Sequence, residues 1–149
     1  MDPYRWNLRA QATGRGTVRV ATRKHQFEVG APVGFDQDAT HITALEYALG
    51  ALGAELVGGL ERLAESKRVE VDHVEAVVQG ELNDPLAAIG VVGAQGHPGI
   101  ERISVNVYVS SGESGTTLEA LWQEVLETSP LHQTLRQCAK VEVALRVAL

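Results

Sequence analysis

The residue types able to do chemistry sit in two segments of this chain. Glu55 closes the stretch Thr43-Ala-Leu-Glu46-Tyr-Ala-Leu-Gly-Ala-Leu-Gly-Ala-Glu55, about three turns into what reads as a mostly apolar helix. A carboxylate there is costly to bury alone, so it needs water, a cation or a hydrogen-bond donor; the bland alternative is a partly exposed helix residue. Ser129, in Ser129-Pro130-Leu-His132-Gln-Thr-Leu135, precedes a proline, and Ser at the N-cap with Pro in the first helical position is a common helix start. His132 follows by one turn, on the side of the helix that Ser129 faces, and reads first as a surface residue. Arg15 stands in the Gly-rich turn Ala12-Thr-Gly14-Arg15-Gly16, and Glu46 has the spacing from Thr43 of a capping box. Cys138 is the single cysteine, which excludes an internal disulfide and a multi-thiolate zinc site; it reads as a small, partly buried hydrophobe.

Metal and nucleotide chemistry find no support. His25, His41, His73 and His97 lack ligand spacing such as His-x-x-x-His. Gly90, Gly93 and Gly96 have neither a following Gly-Lys-Ser/Thr nor a strand-to-helix context. No metal site and no cofactor are expected.

The elements that must position these residues follow from periodicity. Residues 16–29 alternate as strands, with Val18, Val20, Phe27 and Val29 on one face and a turn near Arg23-Lys24-His25. Gly30-Ala-Pro-Val-Gly34 breaks regularity, and residues 36–40 form a polar loop. Leu45, Leu49, Leu52, Leu56, Leu60 and Leu63 then recur at helical spacing, predicting a long, mostly buried central helix. Its Gly and Ala residues would admit close neighbours, offsetting the roughly 1 kcal/mol that each interior Gly costs. Residues 69–82 read as a strand whose alternation slips around His73, as at a bulge, and which ends at Asp84-Pro85. Residues 86–100 read as loop with at most a short element, and Ile103 to Val109 alternate as a strand. Thr116 with Glu119 predicts a capped helix carrying Leu118, Leu121, Trp122, Val125 and Leu126. A short helix from Ser129-Pro130 and a strand over Val141 to Val147 close an α+β order.

Composition narrows the class further. With 149 residues, 44% hydrophobic and 21% charged, one folded domain over 1–149 is the expectation. The net charge of -6 argues against nucleic acid, because phosphate binding needs clustered Lys and Arg. Arg5, Arg9, Arg15, Arg19, Arg23 and Lys24 gather early in the chain but alternate as the solvent face of strands does. The N-terminus lacks an apolar run of signal-peptide length, and Ile42 to Leu60 is interrupted by Glu46 and Glu55, so neither secretion nor a membrane partner is expected.

The two segments around Glu55 and Ser129 resemble the two cysteine motifs of the OsmC/Ohr family, the osmotically inducible and organic hydroperoxide resistance proteins. In that family the first motif runs Pro-Glu-Glu-Leu and ends in Gly-Ala-Cys or similar, and the second begins Cys-Pro. The resemblance covers nearly the whole chain and implies an OsmC-like fold in an intertwined homodimer, each central helix packing in the dimer core. It puts Glu55 and Ser129 where the reactive cysteines would stand, and Ala44 and Leu45 where the helix-opening proline and a helper glutamate would. Peroxide reduction needs a thiolate that accepts oxygen and then forms a disulfide; neither a carboxylate nor a hydroxyl supplies both steps.

What the resemblance implies is a cytoplasmic, stress-related homodimer that has lost thiol chemistry. It would hold a small-molecule ligand in an interface pocket near Glu55, Ser129, His132, Arg15 and Glu46. By the same likeness Arg15, matching the family's thiolate-holding arginine, would pair with Glu55 if it keeps that placement; the alternative is a turn arginine in solvent. The enzymatic alternatives are a residual peroxidase through Cys138, or a hydrolase-type reaction using Glu55, Ser129 and His132.

Overall fold

The computed structural model describes residues 4–32 and 40–148. The polar loop expected over residues 36–40 therefore lies, Thr40 apart, outside the described residues, as do residues 33–34 of the break before it. The chain divides into two compact units, Met1–Ala48 and Leu49–Leu149, each with its own sheet.

In the first unit β1 (Arg9–Ala12), β2 (Val18–Thr22) and β3 (His25–Val29) form an antiparallel sheet in that order. The turn between β2 and β3 falls at Arg23-Lys24 as expected, with Arg23 in the left-handed region at φ 52°. Register puts Val18 opposite Val29 and Val20 opposite Phe27, which gathers the apolar residues on one face. Gln11, Arg19 and Glu28 form a cross-strand row on the other. The sequence reading missed β1, because Arg-Ala-Gln-Ala has no β-branched residue; pairing with β2 makes it a strand.

The central helix α1 (Ala44–Lys67) begins at the expected capping box: the Thr43 N–H donates to Glu46 Oε2 at 2.8 Å, and the Glu46 N–H to Thr43 Oγ1 at 3.3 Å. It ends where Arg68 turns left-handed at φ 57° and the Val69 N–H reaches back to the Ala64 carbonyl at 2.9 Å, a Schellman closure. The helix is less buried than its pattern suggested. Leu52, Gly53, Leu56, Leu60 and Ala64 form one buried stripe, whereas Leu45 is exposed and Leu49 and Leu63 are half-buried.

That stripe faces a second sheet of β4 (His73–Leu82), β5 (Ile100–Ser110) and β6 (Lys140–Ala148). β4 and β5 are antiparallel, and β5 and β6 parallel, joined by α3 (Gly115–Thr128) and α4 (Pro130–Leu135), the helical crossover that a parallel pair requires. Ile103, Val105, Val107 and Val109 point inward against Leu118, Leu121, Trp122 and Val125 of α3 and the α1 leucines.

The structure corrects the extent and irregularity of β4 and the cap of α3. Residues 69–72 precede the strand rather than belong to it, and the irregularity lies between Glu81 and Leu82, where Glu101 is the extra residue on β5. The segment after Asp84 does hold a short helix, α2 (Pro85–Ala88), capped by the Asp84 carboxylate. The cap of α3 is Ser114, not Thr116: its hydroxyl accepts the Thr117 N–H at 3.2 Å, two residues before the place the sequence pattern indicated. No helix among the described residues is long and apolar enough to cross a membrane.

Candidate functional site

The side chains of Glu55 and Ser129 meet. Gly53 and Gly59 decide how closely α1 approaches its neighbours: a Cβ on Gly53 would lie 2.9 Å from a Val78 methyl of β4, and one on Gly59 3.2 Å from a Val125 methyl of α3. Between them, half-buried Glu55 reaches the junction of α3 and α4. Its Oε1 accepts both the Ser129 hydroxyl and, at 2.8 Å, the Leu131 backbone N–H.

The chemistry of α4 explains why this fits. A helix start leaves its first N–H groups without intrahelical partners. Pro130 has no N–H to satisfy; that of Leu131 goes to Glu55, and that of His132 goes to Ser129 Oγ at 3.1 Å. Ser129 is therefore the expected N-cap, only 4% exposed, and Glu55 is a second cap supplied from α1. A carboxylate that accepts a hydroxyl and an amide hydrogen is stabilised without a cation.

His132 is 6% exposed and so is not the surface residue expected. Its Nδ1 lies 3.1 Å from the Leu126 carbonyl, and since a carbonyl only accepts, Nδ1 carries the proton. Gln133 Nε2 donates to the same carbonyl at 2.8 Å, so α4 closes the C-terminal end of α3. The wiring of a hydrolase relay is therefore not the one present. The Ser129 hydroxyl donates its hydrogen bond directly to the carboxylate, and His132 Nδ1 is engaged with the Leu126 carbonyl, whereas a relay sets the imidazole between hydroxyl and acid.

The other candidates lie apart in role. Glu46 serves the α1 capping box, and the Thr43 backbone N–H, followed by the Thr43 side chain, holds its carboxyl below the usual glutamate range. Arg15 tips a turn in which Gly14 and Gly16 both take φ 79°, and it lines a cleft of ≈ 480 Å³ within the first unit. Cys138 is exposed rather than partly buried: it follows the last turn of α4, where its thiol donates to the Leu135 carbonyl at 3.4 Å. It lines a shallow cleft of ≈ 390 Å³ with His97, Arg136 and Lys140 among others. Among the described residues no group of His, Cys, Asp and Glu is arranged to hold a metal ion.

The Leu131 amide is the partner that sequence reasoning missed. Its signal was present, since Pro at the first helical position makes the next N–H the first one needing an acceptor.

Residues 36–144 match the family model described as OsmC-like protein, and the chain belongs to that family. No curated protein matches it. The fold is similar to that of an OsmC-like protein from Mycoplasma pneumoniae, 18% identical, with 100% of each chain covered and a TM-score of 0.82. It is also similar to an organic hydroperoxide resistance protein OsmC from Legionella pneumophila, at 13% identity, 99% of this chain and 100% of that one, and TM-score 0.69. Against the organic hydroperoxide resistance protein OhrB of Bacillus subtilis the values are 18%, 96% and 98%, and 0.62. The α+β, OsmC-like architecture is thereby shown, in a member whose one cysteine is Cys138.

Proposed function

We propose that this chain is a cytoplasmic, homodimeric OsmC-like protein without the family's thiol chemistry, which works by holding a small ligand in the pocket between its subunits. The observation that carries the reading is the hydrogen bond from Ser129 to Glu55. The resemblance assigned these two positions to the reactive cysteines. Here they are occupied by an acceptor and a donor that complete a helix cap. The pair fastens α1 to α4 where the family's chemistry would form a disulfide, and it does so without a redox step. With Ser129 and the Leu131 amide as its donors, Glu55 does not need Arg15 as a counter-ion.

Dimerisation is supported by the exposed apolar residues of the first unit, among them Tyr4 at 85%, Trp6 at 72%, and Leu8, Ile42 and Leu45. Residues of this kind ordinarily seek a partner surface.

The test is consumption of an organic hydroperoxide with a dithiol reductant, by wild type, by Cys138→Ala and by the double variant Glu55→Cys/Ser129→Cys. We expect no turnover from wild type and a gain of turnover in the double variant. Turnover by wild type that disappears in Cys138→Ala would overturn the reading and make the exposed thiol the nucleophile.

A further inference from the structure

The cleft of the first unit has a charge pattern of its own. Cross-strand register lines up Gln11, Arg19 and Glu28, and the cleft adds Thr13, Thr17, His41 and Arg15 to that row. Its one carboxylate is already shared. Glu28 Oε1 lies 3.6 Å from Arg19 Nη2, and Oε2 3.5 Å from His41 Nε2. Arg15 has no carboxylate partner among the described residues. Two guanidinium groups thus face a single carboxylate in one cleft of a chain whose net charge is -6, a local excess opposite to the global sign.

The turn that carries Arg15 is built rather than loose. The Thr13 N–H donates to the Thr17 carbonyl at 3.1 Å, Thr13 and Thr17 hydroxyls lie 2.8 Å apart, and the Arg15 N–H donates to Thr13 Oγ1 at 3.3 Å. Gly14 and Gly16 supply the positive φ angles. A guanidinium held on such a turn loses less freedom on binding than one on a mobile segment.

We propose that this cleft binds a small hydrophilic organic acid, its carboxylate or phosphoryl oxygens held by Arg15 and Arg19 and its body lying along Thr13, Thr17 and Gln11. A guanidinium fork suits both kinds of oxyanion. The volume of ≈ 480 Å³ is that of an organic-ligand site rather than a bare ion, and the polar lining excludes an apolar ligand. The site shares Arg15 with the interface pocket that the resemblance implies but involves neither Glu55 nor Ser129, so the hydroperoxide test above and the binding test below fail separately.

The experiment is an amide-resolved NMR titration of the full chain with glycerol 3-phosphate and, separately, with succinate, against sodium chloride at equal ionic strength. Saturable shifts at Thr13, Arg15, Thr17 and Arg19, with a dissociation constant on the order of 1 mM, are the expected result for at least one probe, and the stronger probe identifies the oxyanion class. Arg15→Gln, a change at an exposed position, should weaken binding about tenfold, and Glu28→Gln should tighten it severalfold by removing the competing carboxylate. Shifts that never saturate, or that chloride reproduces, overturn the proposal; so does an affinity that Arg15→Gln leaves unchanged while its spectrum shows a folded protein.

Discussion

A half-buried carboxylate at the junction of α3 and α4 has to find donors, and Glu55 finds them in a hydroxyl and a helix-start amide. Its energetic role follows from what each partner loses without it. Glu55→Ala leaves the Ser129 hydroxyl and the Leu131 N–H without their acceptor, at a site where each bond to an ionised group contributes roughly 1.5–3 kcal/mol. Ser129→Ala removes that same bond and the N-cap of α4, a loss of typically about 1 kcal/mol for the cap alone. Because both variants break one shared bond, the double variant should cost less than the sum, with a coupling of about 1–2 kcal/mol in urea unfolding at fixed protein concentration. Strict additivity would mean that the two side chains do not interact in solution. At this scale the residues were legible, and the family resemblance grouped them, but the bonds between them were not. Ser129 as a cap and the Thr43/Glu46 box were legible because both are local patterns. The burial of His132 and the exposure of Cys138 were not, since both depend on where α4 docks, which no local pattern encodes.

Glycine spacing governs the elements. Gly53 lies on the buried stripe of α1 against β4, and a methyl added there would meet Val78 Cγ2 at 2.9 Å. Two effects compete in Gly53→Ala. Helix propensity favours alanine by about 1 kcal/mol, while overpacking a filled core typically costs about 1–3 kcal/mol. A β-branched neighbour on a strand has few ways to yield, so packing should win and the variant should unfold at lower urea than wild type. Adding Val78→Ala makes room for the new methyl, so the double variant should be more stable than the two single changes predict together. A Gly53→Ala protein more stable than wild type would show that β4 shifts to accommodate it. The same helix shows why element type was readable and burial was not. A leucine at every third or fourth position dictates the helix, but the pattern is apolar on more sides than one chain covers. In β5, by contrast, strict alternation marked both the strand and its inward face, and Ile103, Val105, Val107 and Val109 are the buried set.

For the molecule as a whole, the unexplained quantity is apolar surface. Among the described residues of Met1–Ala48, Tyr4, Trp6, Leu8, Val18, Ile42 and Leu45 are all exposed, and the Tyr4 and Trp6 rings pack on each other with centroids 5.0 Å apart. Large aromatic side chains carry much of the energy of protein interfaces, so they are where an association is most readily broken. Sedimentation equilibrium should therefore report twice the 16.0 kDa chain mass. Trp6→Ser combined with Leu8→Ser should raise the dimer dissociation constant at least tenfold, because losing even one aromatic anchor of that kind is worth about 2 kcal/mol or more. Neither residue belongs to the buried cluster around Trp122, so the sheet of β4, β5 and β6 should keep its far-ultraviolet signature while the mass falls. A wild-type chain that sediments as a monomer throughout the micromolar range would remove the subunit interface from the proposed function and leave the ligand to be sought within one chain.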